Sequence, residues 1–157
     1  MDLNIGLSEK QRKAVVKILN VLLADEHVLY IKTHNYHWNV TGPHFHDLHK
    51  FFEAQYEELG DIIDDVAERA RELGGPAEAT LSEFLKATRL KETPGQYPNA
   101  KVMIKNLLVD HEKLISQLRQ DLETVQNKHH DAGTCDFLTG IMEKHEKMAW
   151  MLRALQT

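Results

Sequence analysis

The sequence has a single cysteine, Cys135, among 157 residues. That excludes an intrachain disulfide framework and any cysteine-rich metal site, and it suits a reducing compartment. Cys135 itself is expected as a small buried or half-buried residue near the start of the last helix. No apolar run approaches the ~20 residues that cross a bilayer. The N-terminus lacks the charged and apolar regions of a secretory signal. A cytoplasmic location with no membrane partner is therefore expected. Basic charge is scarce as well: the net charge is −5, and neither the first seven residues, MDLNIGL, nor the last three, LQT, contain Lys or Arg. This speaks against a surface that grips nucleic acid throughout. Tandem repeats, low-complexity tracts and a Gly-rich phosphate loop are also missing.

What the sequence does contain is apolar periodicity at helical spacing. With 42% hydrophobic and 27% charged residues, residues 1–157 are expected to form one domain with its own core. Ser8 and Gln11 form a capping box, and Val15, Ile18, Leu19, Leu22 and Leu29 mark the apolar face of a first helix that persists to about Trp38. Asn39 to Pro43 is a short turn, with Thr41 or Gly42 as cap and Pro43 in the first turn of helix two. So short a connection makes the first two helices antiparallel neighbours. Gly74-Gly75-Pro76 stops helix two. The stretch from 74 to 97 is too long for a bare loop, and the Thr80–Glu83 capping box places a short helix inside it. Helix three carries Ile104, Leu108, His111, Ile115, Leu118, Leu122 and Val125, and residues 127–133 break it. Helix four carries Leu138, Ile141, His145, Met148, Leu152 and Leu155. The alternating four-and-three spacing is that of a buried seam. The fold class is all-α: four long helices, with a short extra helix in the crossover between the second and third.

Helix two carries the chemistry. At about 100° and 1.5 Å per residue, His49, Glu53, Asp64 and Glu68 share one face, spread over roughly 100°. Phe45, Leu48, Phe52, Leu59, Ile63, Val66 and Leu73 centre on an adjoining arc, with Ile62 at its far edge. One chain does not close a site with these four residues, because Glu53 and Asp64 lie about 16 Å apart along the axis while paired metal ions sit about 3.5 to 4 Å apart. A second copy of the helix, antiparallel about a two-fold axis, solves this. Residues then face each other when their numbers add to a constant, and His49 with Glu68 and Glu53 with Asp64 both add to 117. The axis falls between Glu58 and Leu59, with Gly60 and Tyr56 on the same face. Two equivalent sites per dimer result, each built from both subunits. A solvated acidic face is the plain alternative; the added His37 and His49 and the shared sum favour a metal. Two imidazoles with several carboxylates suit Fe(II) or Zn(II), and oxygen-rich ligation without thiolate leans towards iron.

His37-Trp38-Asn39, Gly42, Phe45, Leu48-His49, Glu53, Asp64, Ala67-Glu68-Arg69 and Leu73-Gly74 together resemble the signature of Dps-type miniferritins, the starvation-induced members of the ferritin superfamily. The resemblance extends over most of the chain and implies a ferritin-like four-helix bundle. Carried over residue by residue, it implies a ferroxidase centre with His37, His49 and Glu53 from one subunit and Asp64 and Glu68 from its two-fold mate. Glu53 stands where the family most often has an aspartate, and it keeps a carboxylate one methylene longer. Trp38 is implied to lie beside the centre as a trap for oxidising radicals. The resemblance further implies Fe(II) oxidation to Fe(III), with hydrogen peroxide as the oxidant. Nothing in the spacing selects peroxide over dioxygen. The resemblance also implies storage of ferric mineral in a homo-oligomeric shell of twelve subunits, protecting against oxidative damage. Asp131 and Asp136 resemble acidic residues of the family's three-fold pores; helix capping is the competing role, above all for Asp131.

Two other readings stand beside this one. The chain is a DNA-compacting starvation protein with secondary metal binding, or a structural bundle with an incidental charged face. An internal metal site at His111 and His145 is not expected, since the sequence has no Glu-x-x-His pair; hydrogen-bonded core histidines account for them. His27 and His34 are expected on a polar face or core edge, with His34 a possible outer-shell group for His37. His44 and His46 are expected at the surface.

Overall fold

The computed structural model describes residues 3–156, and these contain helices and no strand. Four long helices, α1 (Glu9–Asn39), α2 (Phe45–Glu72), α4 (Ala100–Thr124) and α5 (Ala132–Ala154), are joined by two short connections and one long crossover holding α3 (Leu81–Ala87). α1 packs on α2 and α4 on α5 as two hairpins, and contacts of α1 with α4 and of α2 with α5 join them into a bundle.

Local chemistry sets the helix ends. Ser8 Oγ accepts from the Gln11 amide at 3.3 Å while Gln11 Oε1 accepts from the Ser8 amide at 2.9 Å, and Thr80 with Glu83 repeats the box at α3. α2 ends in a Schellman motif: Gly74 adopts φ +82°, its amide donates to Arg71, and the Gly75 amide donates to Ala70. The start of α2 differs from the sequence reading. Its N-cap is His44 with no side-chain cap, and Pro43 lies outside the helix. The Phe45 amide donates to the Gly42 carbonyl at 3.0 Å, so residues 42–45 form a turn with Pro43 at the position where a fixed φ is favoured. α4 also runs on further than expected. A single π turn, Val125–His129, extends it, and His130 at φ 55° ends it. Gln11 Nε2 donates to the His129 carbonyl at 3.0 Å, satisfying one of the acceptors that the turn leaves open.

The core is built from all four long helices: Leu19, Leu22, Leu29, Phe52, Leu59, Ile62, Leu107, Leu114, Leu118, Leu138 and Leu152 are all fully buried. Ile62, at the edge of the α2 stripe, is buried as completely as the residues at its middle. Phe45, counted from the sequence as part of that stripe, is 45% exposed. With Leu48, Gln55, Leu59, Ile62 and Val66 buried, the centre of the stripe shifts away from Phe45. The crossover is tied down by Asp25, which is fully buried on α1. Its carboxylate accepts from the Thr88 hydroxyl at 2.8 Å and from the Arg89 amide and Nε, each at 2.6 Å. Arg89 reaches on to Asp121 of α4 at 3.0 Å.

Candidate metal centre

α1 leaves its last carbonyls without intrahelical donors, and His37 lies in that final turn. The His49 Nδ1–H, from the second turn of α2, donates to the His37 carbonyl at 2.9 Å. Reciprocally, the His37 Nδ1–H donates to the His49 carbonyl at 2.8 Å. The two rings stack at 3.7 Å with 19° between their planes. A carbonyl only accepts, so Nδ1 of each ring carries a proton, and Nε2 is the atom left for a further partner. The short connection between α1 and α2 thus yields two mutually oriented imidazoles. His37 is buried and His49 half-buried.

Glu53 follows His49 by one turn and is half-buried. Lys50 Nζ donates to its Oε2 at 2.5 Å. This contact with Lys50 is the main cause that lowers the Glu53 pKa, with a smaller contribution from the His37 and His49 rings. The carboxylate is held ionised, ready to accept a cation.

Aromatic rings line the other side. His34 stacks between Trp38, at 4.8 Å, and Tyr56, at 3.7 Å, and Tyr30 meets His34 edge-on at 4.6 Å. Tyr56 in turn meets the edge of His37 at 5.2 Å, and Phe45 stacks on His49 at 5.2 Å. Burial, and secondarily the neighbouring His37, lowers the His34 pKa. Burial, and secondarily Glu53, raises the Tyr56 pKa, so the phenol keeps its proton. Trp38 is 69% exposed. His34 thus takes the core-edge position, half-buried among these rings one turn before His37. The i, i+4 ladder Tyr30, His34, Trp38 is its sequence signal. Lys50 and Tyr30 had not been singled out from the sequence.

Asp64 and Glu68 are exposed further along α2. Their face points roughly 150° away from the centre of the buried stripe, so it does not look into its own bundle. Among the described residues of one chain, no group of three or more His, Cys, Asp or Glu side chains lies close enough to hold a metal ion. His37 and His49 are brought together, with Glu53 one turn of α2 beyond His49; Asp64 and Glu68 are not brought to them within a subunit.

The ferritin-like domain profile matches residues 16–157. A low temperature-induced protein of Nostoc sp. is 47% identical over 152 residues, covering 97% of this chain and 85% of its own length. The DNA protection during starvation protein 2 of Bacillus anthracis is 40% identical over 142 residues, covering 90% of this chain and 96% of its own. The crystal structure of the Dps protein from Vibrio cholerae superposes with a TM-score of 0.91 at 33% identity, covering 100% of this chain and 98% of that one. The chain belongs to the Dps-type miniferritins.

Two other groups of residues in this Dps-type chain have structural roles. Asp131, a candidate pore residue, is buried at the start of α5. Its Oδ1 accepts from the Thr134 amide at 3.0 Å, its Oδ2 from the Thr134 hydroxyl at 2.6 Å, and Arg69 lies 3.6 Å away. Capping occupies this carboxylate, whereas Asp136 is exposed. In the core, His145 Nε2 lies 2.8 Å from Glu26 Oε1, and His145 Nδ1 lies 2.9 Å from His111 Nδ1. All three side chains are fully buried. Burial, then the neighbouring His145, pushes the His111 pKa well below the usual imidazole range. These are hydrogen-bonded core histidines, as expected.

Proposed function

We propose that the chain is an iron-sequestering ferroxidase. His37, His49 and Glu53 of one subunit bind ferrous iron together with Asp64 and Glu68 of a two-fold mate. The observation that carries this reading is the reciprocal imidazole–carbonyl clamp, which engages Nδ1 of both rings and leaves both Nε2 atoms for a metal, with the ionised Glu53 carboxylate one turn on. The exposure of Asp64 and Glu68 supports it, because such a face is free to complete the half-site of another copy. The Vibrio protein is described as a member of the ferritin-like diiron-carboxylate superfamily, which supports iron as the substrate metal.

In the proposed reaction two ferrous ions each give one electron to hydrogen peroxide, whose O–O bond breaks, and water takes up the protons released as ferric oxyhydroxide forms. The protein supplies ligand geometry and stabilises the higher charge of the oxidised metal. Trp38, stacked on His34 and open to solvent, is positioned to intercept stray oxidising radicals. Ferric product collects in the cavity of a twelve-subunit shell, which protects the cell from iron and peroxide together. The net charge of −5 supports protection by removing iron in preference to coating DNA.

Anaerobic titration with Fe(II), followed by peroxide or dioxygen and monitored by absorbance, tests iron binding, stoichiometry and oxidant. The double variant His37→Ala, His49→Ala is expected to oxidise iron more than roughly 100-fold slower, beyond the cost of losing even an outer-shell partner. An unchanged rate in an intact assembly overturns the assignment.

A further inference from the structure

Two-fold pairing of α2 on the shared sum of 117 sets Glu53 opposite Asp64 and His49 opposite Glu68. Each site then gathers three carboxylates and two imidazoles. With no cation present, those anions repel one another across a partly desolvated interface. One cation already sits among them. Lys50 Nζ lies 2.5 Å from Glu53 Oε2, on the exposed side of the helix. Neighbouring cations are engaged elsewhere: Lys144 pairs with Glu58, and Arg69 with Glu72 and Asp131.

From this contact we propose that Lys50 is a tethered counter-ion, which holds Glu53 in the empty site and is displaced when a divalent cation binds. This rests on the intersubunit metal site proposed above. A protonated ammonium has no lone pair and cannot join the ligand set, so it has to leave as the metal arrives. Its four-carbon stem lets it swing away without moving the backbone. An exposed pair of this kind is weak, which suits a group that must be displaced. Two effects of opposite sign follow. Removing the ammonium frees Glu53 for the metal, and it also leaves the metal-free interface with uncompensated negative charge.

Lys50→Met keeps most of the stem without the charge, and Lys50→Arg keeps the charge. Anaerobic Co(II) titration, read by its visible ligand-field absorption, and sedimentation of the metal-free protein give the two readouts. Lys50→Met is expected to bind Co(II) roughly two- to five-fold more tightly. Its metal-free assembly is expected to dissociate at higher protein concentration than wild type and to be restored by Co(II). Lys50→Arg is expected to resemble wild type in both. Equal or weaker Co(II) binding by Lys50→Met, while wild type binds Co(II), overturns the counter-ion role and leaves the metal site standing. Failure of wild type to bind Co(II) overturns both.

Discussion

The His37–His49 clamp spends its hydrogen bonds on orientation. Each ring is fixed through Nδ1, so its Nε2 has little rotational freedom left to lose when a metal binds. The buried Glu26–His145–His111 chain has a different role. His111 Nε2 and Glu26 Oε2 find no partner, and an imidazolium at His111 would add a desolvated charge. The native His111 pKa lies below the unfolded value of about 6.5. Below about pH 6.5 the unfolded chain therefore takes up a proton that the folded chain refuses, so stability is complete above that pH and declines as the pH falls towards the native value. The slope approaches about 1.4 kcal/mol per pH unit for one proton. His111→Gln is expected to reduce the slope between pH 6.5 and 5, measured by chemical denaturation across that range. An identical slope would assign the acid sensitivity to other groups.

Among the elements, the α2 terminus is the tightest piece of construction. A Cβ at Gly75 would lie 2.4 Å from Val16 Cγ1, a side chain that is itself buried in the core. Gly75→Ala is expected to destabilise by roughly 1–3 kcal/mol through overpacking, whereas Gly140→Ala, with nothing within 4 Å, should gain a few tenths to about 1 kcal/mol from helix propensity. Equilibrium denaturation of the two variants distinguishes these signs. Helix ends carrying their own chemistry, such as Ser8 with Gln11, Thr80 with Glu83 and Gly74 after α2, were legible in the sequence because the capping groups lie three or four residues apart. The π turn at Val125–His129 was not: Gln11, far away in the chain, reaches its carbonyl. Phe45 misled for a related reason. It sits at the border of the α2 stripe, where periodicity alone does not say whether a ring turns to the core or to His49. Spacing put His49 and Glu53 on one face of α2 and the family resemblance added His37, whereas the stacking of Tyr56 on His34 from another helix was beyond the reach of local periodicity.

On the scale of the whole molecule, the proposed site imposes a pattern that a single-chain site would not produce. A subunit lacking His37 and His49 still offers its Asp64 and Glu68, and a subunit carrying Asp64→Asn and Glu68→Gln still offers its histidines. In a mixed two-fold pair, one site is doubly disabled and the other is complete. Two variants inactive alone are thus expected to recover activity when dissociated together and reassembled, to roughly a quarter of wild type if subunits mix at random, since half the pairs are mixed and each has half its sites. No recovery in verified mixed assemblies would place all the ligands in one subunit. The bundle interior draws nothing from Asp64 or Glu68. A descendant that had lost its oxidising chemistry would therefore keep the same helices and the same interior, and likeness of shape among such relatives is no measure of whether they still handle iron.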